Sequence, residues 1–431
     1  MGRLEAAAIA VGIFGAGLFA PMVAQAFSQV QGVPEPSFEQ VLAEEDLPAS
    51  GAGFEISPPI SRSGTLLFYH LKTPQGTFPV RGTAQMRKRL AEVQALQQLN
   101  RTDWTALAGD GAVEAVKKPL TFLGDLVRRP GTTLSESAER VGEMFDGTVN
   151  TLAGKNPPPM GPTRTGESPS ETLAAAVVGR DQARREIAVQ IGVDPYTTFT
   201  PLSDKLDEAA WAYASSNRVV RLASLFIPGS AGAAVTGIVT SADFRKMLVE
   251  SPAVLNERMR KALEGLEVRD ATIRSFLAQS ALTPAEKLVL VGAMQQLGPL
   301  PGIEDQVALV ATADAPSGAN YMVLALLMAV DYHQHVAAIT ALEVVQGVPV
   351  GQTASGALVV FIAGDRVGWE LRERAALLEL QSELDARKPP EPVEYRVYGL
   401  ANGALHEALW DRNGFIRERA PVSASLSMSS E

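Results

Sequence analysis

Cysteine is absent from the 431 residues. Its absence excludes disulfides, thiolate metal sites, cysteine nucleophiles, iron–sulfur ligation and the lipid-bearing cysteine of a bacterial lipoprotein. Histidine is scarce, with only His70, His333, His335 and His406 to carry imidazole chemistry. Positive charge is in deficit: 48 acids face 38 bases, so the net charge is −10 and no whole-protein positive field exists to hold nucleic acid. Aromatics make up 6% of the chain and charged residues 20%, a balance that excludes a polytopic membrane protein. Aliphatic residues are plentiful: 46% of the chain is hydrophobic, enough for two or three domains with cores of their own.

Reactive motifs are missing as well. No Gly-x-Ser-x-Gly elbow occurs, and Gly229-Ser230-Ala231-Gly232 has the wrong spacing for one. Gly154-Lys155 lacks both the earlier glycine and the following hydroxyl residue of a phosphate loop. No acidic run has EF-hand spacing. No cofactor is expected from these patterns.

At the amino terminus, Arg3 precedes an apolar stretch from Ala6 to Ala20, Pro21 breaks it, and Ala24-Gln25-Ala26 supplies small residues for cleavage. This reads as a secretory signal peptide over residues 1–26, leaving a mature chain that starts at Phe27. The expected location is exported, periplasmic or envelope-associated.

Thr65 to Leu71 and Thr77 to Arg81 are β-prone runs joined by Thr73-Pro74-Gln75-Gly76, a hairpin signal. Met86, Leu90, Val93, Leu96 and Leu99 then recur at helical spacing, with Arg87, Lys88 and Arg89 on the other face. A second helical period runs from Leu134 to Leu152. Residues 27–153 thus read as a β-hairpin plus helices, and 154–170 as a proline-rich linker. From 171 to 346 the chain reads as capped helices, with a capping box at Thr283-Pro284-Ala285-Glu286, and so as one all-α domain. Residues 347–419 alternate strand, helix, strand, helix, strand, the order of a small α/β module with parallel pairing across its crossovers. Residues 420–431 read as a disordered serine-rich tail. The fold class expected is mainly α, an all-α helical central domain between an N-terminal β-hairpin/helix module and a small C-terminal α/β module.

The order of these pieces resembles a group of exported proteins of Gram-negative bacteria with no assigned activity. The matching stretches are Phe54 to Val80, Gly179 to Pro195 with the Gly-Val-Asp-Pro-Tyr that begins at Gly192, Thr283 to Leu297, and Tyr398 to Phe415. The resemblance implies export and a multi-part architecture, and carries no mechanism or site residues.

Two stretches are candidates for function. Asp331, His333 and His335 form the densest set of metal-ligand types; on a helix Asp331 and His335 share a face, while His333 points elsewhere. Polar termination of a buried helix is the alternative there. Leu222 to Ala242 carries no formal charge and is broken by Pro228-Gly229, so it reads as packed core, as a hairpin whose tip, Leu225, Phe226 and Ile227, contacts lipid or a partner, or as a membrane span. The basic groups Arg87-Lys88-Arg89, Lys117-Lys118 and Arg128-Arg129 suit anionic headgroups or a solvated helix face. Trp369, Tyr395, Tyr398 and Trp410 are core residues or a ligand-binding face.

The reading these features favour is a non-catalytic exported cell-envelope protein, a helical interaction or membrane-associated module whose partner is membrane lipid or an envelope protein. Its alternatives are an exported metal-dependent hydrolase using Asp331, His333 and His335, and a soluble periplasmic binder of a small apolar ligand.

Overall fold

The computed structural model describes residues 37–101, 169–215 and 242–422. Its first elements are α1 (Phe38–Glu44), β1 (Ser50–Gly51), β2 (Phe54–Ser63), β3 (Leu66–Thr73), β4 (Gly76–Arg81) and α2 (Thr83–Arg101). Helices follow: α3 (Pro169–Gln190), α4 (Thr200–Ser215), α5 (Ala242–Val249), α6 (Pro252–Glu264), α7 (Asp270–Ala278), α8 (Pro284–Leu297), α9 (Ile303–Ala311) and α10 (Pro316–His335). The chain continues with β5 (Ile339–Val345), β6 (Val348–Thr353), β7 (Leu358–Ile362), β8 (Arg366–Val367), α11 (Leu371–Ala386), β9 (Val393–Val397), β10 (Leu400–Ala401), α12 (Gly403–Trp410) and β11 (Gly414–Arg417). The signal peptide, the helix at Leu134 to Leu152, nearly all of the proline-rich linker, the apolar tip Leu225-Phe226-Ile227 and most of the tail lie outside the described residues. Among those described, no helix is long and apolar enough to cross a membrane.

Eleven strands in three sheets, among the described residues alone, overturn the mainly α expectation. One sheet is antiparallel in the order β1-β2-β3-β4, one pairs β8 with β10, and the largest is a mixed sheet in the order β11-β9-β7-β6-β5. Five strands, β1, β2, β5, β8 and β10, were not foreseen, and β2 and β5 are the long ones among them. β2 contains Pro58-Pro59, which cannot donate to a ladder and argues against a strand; the register slips between Ser57 and Ser61, so the prolines are accommodated at an irregularity. β5 begins only a few residues after α10, without a glycine or proline to mark the change, so its apolar run reads as a continuation of the helix.

The described residues fall into two compact units. One collects residues 37–51, 55–86 and 256–422; the other collects 52–54, 87–101, 169–215 and 242–255. In the first, β5, β6 and β7 form an antiparallel meander, and β7, β9 and β11 pair in parallel through the crossover helices α11 and α12. β7 is Leu-Val-Val-Phe-Ile, buried at every position, because a central strand covered on both faces has no solvent side on which to alternate. Phe361 and Arg396 are register partners, and both reach the Tyr332 ring of α10, at 6.1 and 4.6 Å. Their neighbours Val360 and Tyr395 point the opposite way, where the Tyr395 hydroxyl donates to Gln381 Oε1 of α11. Helices thus cover both faces of this sheet. That burial explains α10, which has no polar face from Gly318 to Tyr332 and packs against α8, itself almost wholly buried. The Thr283 hydroxyl and Glu286 carboxylate cap α8 reciprocally, as the sequence signal requires.

In the second unit, residues 87–101 of α2 lie with α3, α4 and α5. Leu90, Val93, Leu96 and Leu99 are buried as their spacing predicts, together with Ile187, Phe199, Leu202 and Phe244.

Candidate functional site

β7 leaves its sheet through Ala363-Gly364-Asp365-Arg366-Val367-Gly368-Trp369-Glu370 and enters α11. This is the carboxyl edge of the parallel strands, where α/β proteins usually place binding and reactive groups. Glycine permits the crowding there. A Cβ on Gly399 would collide with the backbone of Asp365, and one on Gly364 would lie 2.8 Å from Thr65 Cβ.

Asp365 is buried and accepts three hydrogen bonds from two backbone amides: Leu67 N–H at 2.8 Å, and Thr83 N–H at 3.1 and 3.0 Å. Burial pushes its carboxyl up to about 6, against the pull of those two amides. The Tyr69 hydroxyl lies 2.7 Å from Thr83 Oγ1, and burial raises its pKa as well. Arg366, next in sequence, bonds Glu44 Oε2 at 2.7 Å and also pairs with Glu45.

At the helix end of the same loop, Arg62 of β2 grips two carboxyls. Its Nη1 lies 2.8 Å from Glu370 Oε1, and its Nη2 lies 3.2 Å from Glu370 Oε2 and 2.8 Å from Glu373 Oε1. Burial raises Glu373, helped by its hydrogen-bonded neighbour Glu370, whereas that same bond and Arg62 depress Glu370. A glycosidic acid and nucleophile need about 5 Å or more between carboxyls. Glu370 and Glu373 instead share one nitrogen, Arg62 Nη2, and Arg62 occupies both.

The proposed metal ligands close the C-terminus of α10. His335 Nδ1 lies 3.1 Å from the Asp331 carbonyl oxygen and 3.2 Å from its Oδ1, the i, i+4 pairing expected on a helix. His333 turns elsewhere, and its Nδ1 accepts the Ile339 N–H at 3.0 Å, which leaves the proton on Nε2. The three side chains therefore do not converge. Among the described residues no group of three or more histidines and acids is placed to hold a metal ion.

The second unit encloses a charged cluster of its own. Lys88 Nζ lies 3.3 Å from Asp194 Oδ2, Arg89 Nη1 lies 2.5 Å from Glu92 Oε2, and the Thr197 hydroxyl donates to Glu92 Oε1 at 2.5 Å. Asp194 also accepts the Tyr196 N–H at 2.8 Å, and the Arg89 guanidinium lies 5.0 Å from the centroid of the Phe199 ring. Glu92 is fully buried, which raises its pKa against Arg89 and Lys88. Lys88 and Arg89 thus face inward and are neither a solvated face nor a headgroup site. The Gly-Val-Asp-Pro-Tyr stretch supplies the loop that receives them.

The aromatics divide. Tyr395 is core, whereas Trp410 at the end of α12 is 73% exposed. Trp369 lies between in burial, and two guanidiniums approach its ring, Arg374 at 5.8 Å and Arg412 at 5.6 Å from the centroid. Neither arginine has an ion pair among the described residues. Arg412 reaches Trp369 from just beyond α12 while its Nη1 donates to the Ala408 carbonyl at 2.6 Å.

No protein-family model, curated protein or solved structure matches the chain. Functional argument therefore rests on these contacts. Sequence reading overlooked Arg62, Asp365, Glu370, Glu373, Glu92 and Asp194. The one local sign was Gly364-Asp365 directly after the apolar run of β7, the place where a parallel strand delivers its loop.

Proposed function

We propose that the chain is a non-catalytic exported protein of the cell envelope, which docks through the exposed aromatic and cationic groups of its α11 and α12 layer. The exposure of Trp410 carries this reading. Trp410, 73% exposed, stands two residues before Arg412, and Arg412 with Arg374 flanks the Trp369 ring, so this layer carries the residue types most enriched in binding hot spots. The buried acids support it from the other side, because Asp365, Glu373, Glu92 and Asp194 bond within their own units, whereas catalysis needs a group within reach of substrate. A partner bearing carboxylate or phosphate groups suits two arginines that lack acidic partners among the described residues. Membrane lipid and an acidic envelope protein both meet that description.

Fractionation of expressing cells tests the proposal, using salt and alkaline-carbonate washes with the N-terminal residue of each pool read by mass spectrometry. The expected result is a chain starting at Phe27 that stays with the envelope and is released by salt or carbonate. A chain that keeps Met1 in the cytoplasm, or one free in the soluble envelope pool at low salt, would overturn it.

A further inference from the structure

Glu373 Oε2 and Arg62 Nε are buried without a hydrogen-bond partner. An unpaired carboxylate oxygen in that position costs about 1–3 kcal/mol or more, so the arrangement calls for an explanation. Glu370 offers one. Its carboxyl and that of Glu373 both lie on Arg62 Nη2, at 3.2 and 2.8 Å, and two carboxylates crowded on one guanidinium repel each other unless one carries a proton. Arg62 favours the arrangement, because its fork holds both heads in place while its single positive charge balances only one of them.

We infer that Glu370 and Glu373 share one proton at neutral pH, and that this proton and Arg62 together form a pH-sensitive latch tying the first turn of α11 to strand β2. The latch does not depend on what docks at Trp410. Among the described side chains, the charged groups that act on the pair are Arg62 from β2 and the two acids themselves. In the ladder, Arg62 faces the apolar Leu67 of β3, while Arg366 is taken by Glu44 and Glu45, and Arg374 lies over Trp369. Removing the proton leaves two carboxylates on one guanidinium and repulsion across the helix start.

The direction of the pH response follows. Glu373 is raised, so the folded state holds a proton that the unfolded chain releases in the ordinary glutamate range; its contribution is complete below that range and is lost as pH climbs. Glu370 is depressed, so its contribution appears above the ordinary range and is lost in acid.

Infrared spectroscopy of the full chain at about pH 7 reads the protonated carboxyl directly, since an ordinary glutamate is ionised there. The expected result is a protonated-carboxyl component lost in the difference spectrum between wild type and Glu373→Gln, together with a urea midpoint that falls more steeply from about pH 5 to about pH 9 in the wild type than in the variant. The amide introduced by Glu373→Gln would still donate to Glu370, so the variant keeps the bond without the titration. Should Glu373→Gln fail to fold, Glu370→Gln serves, because it returns Glu373 to an ionised partner of Arg62 and also removes the band. A wild type without such a band, or a difference spectrum in which the folded variant loses no protonated-carboxyl intensity, would overturn the inference.

Discussion

Asp365 holds the backbone N–H of Thr83, 282 residues earlier in the chain, with both carboxylate oxygens. Thr83 is the first residue of α2, so its amide is among the four that a helix leaves unpaired at its start. The cap comes from a distant loop, and the same carboxylate holds Leu67 of β3. Asp365→Ala leaves two buried amides without acceptors and is expected to cost about 2–4 kcal/mol by urea unfolding. The sign of its pH dependence runs against habit. Because the folded pKa is raised to about 6, the contribution of Asp365 to stability is largest when protonation is complete, so the gap between variant and wild type narrows as pH rises from about 4 to about 6. A gap that widens over that window would show that the two amides hold Asp365 preferentially as the ionised carboxylate.

Lys88 and Asp194 form a buried pair in the second unit. Burying two charges is costly, and their attraction offsets that cost only while both are present. Asp194→Ala strands the ammonium and is expected to destabilise by about 3–5 kcal/mol. Replacing both, Lys88→Met with Asp194→Leu, is expected to recover most of that loss. Denaturation of the two single variants and the double variant gives the coupling. Purely additive losses would mean that neither charge depends on the other.

Gly302 caps the start of α9 at φ +89°, and a Cβ there would strike the carbonyl of Leu342 on β5. Both facts bear on one contact, because Gln306 of the same helix donates to that carbonyl at 3.0 Å. Gly302→Ala combines left-handed strain with a backbone clash and is expected to cost about 2 kcal/mol or more, read as a lower urea midpoint. Gly403→Ala, where a Cβ meets nothing within 4 Å and φ is ordinary, is the control and should stay within about 0.5 kcal/mol of wild type.

Local signals in the sequence located the elements whose patterns answer to local physics. The hairpins around Pro74 and Ser355, the helix through Met86 to Leu99, the capping box at Thr283 and the parallel pairing after β7 all follow from turn chemistry, period or crossover length. β2 and β5 were lost because their cues are tertiary. Pro58-Pro59 is tolerable only where a neighbouring strand lets the register slip, and Ile339 to Val345 differs from a helix only in having β6 beside it. The clusters were illegible for the same reason. Arg62 stands 308 residues from Glu370, and Lys88 stands 106 from Asp194, so no spacing rule joins them. Asp331 and His335 show the converse: a local spacing placed them correctly on one face, but the third ligand type, His333, was already committed to the Ile339 amide.

Trp410 separates the docking role from stability. Its ring is mostly in water, so Trp410→Ala should leave the urea midpoint within about 0.5 kcal/mol of wild type. Hot-spot tryptophans lose about 2 kcal/mol or more of binding on truncation, so the same variant should shift the envelope-bound fraction roughly thirtyfold towards the soluble pool. Trp211 is the matched comparison, since it is 48% exposed with Arg180 at 5.3 Å from its ring centroid but belongs to the other unit. Trp211→Ala should leave retention unchanged. If Trp211→Ala releases the protein while Trp410→Ala does not, the docking face lies in the helical unit, and the arginines around Trp369 serve only to pack α11 and α12.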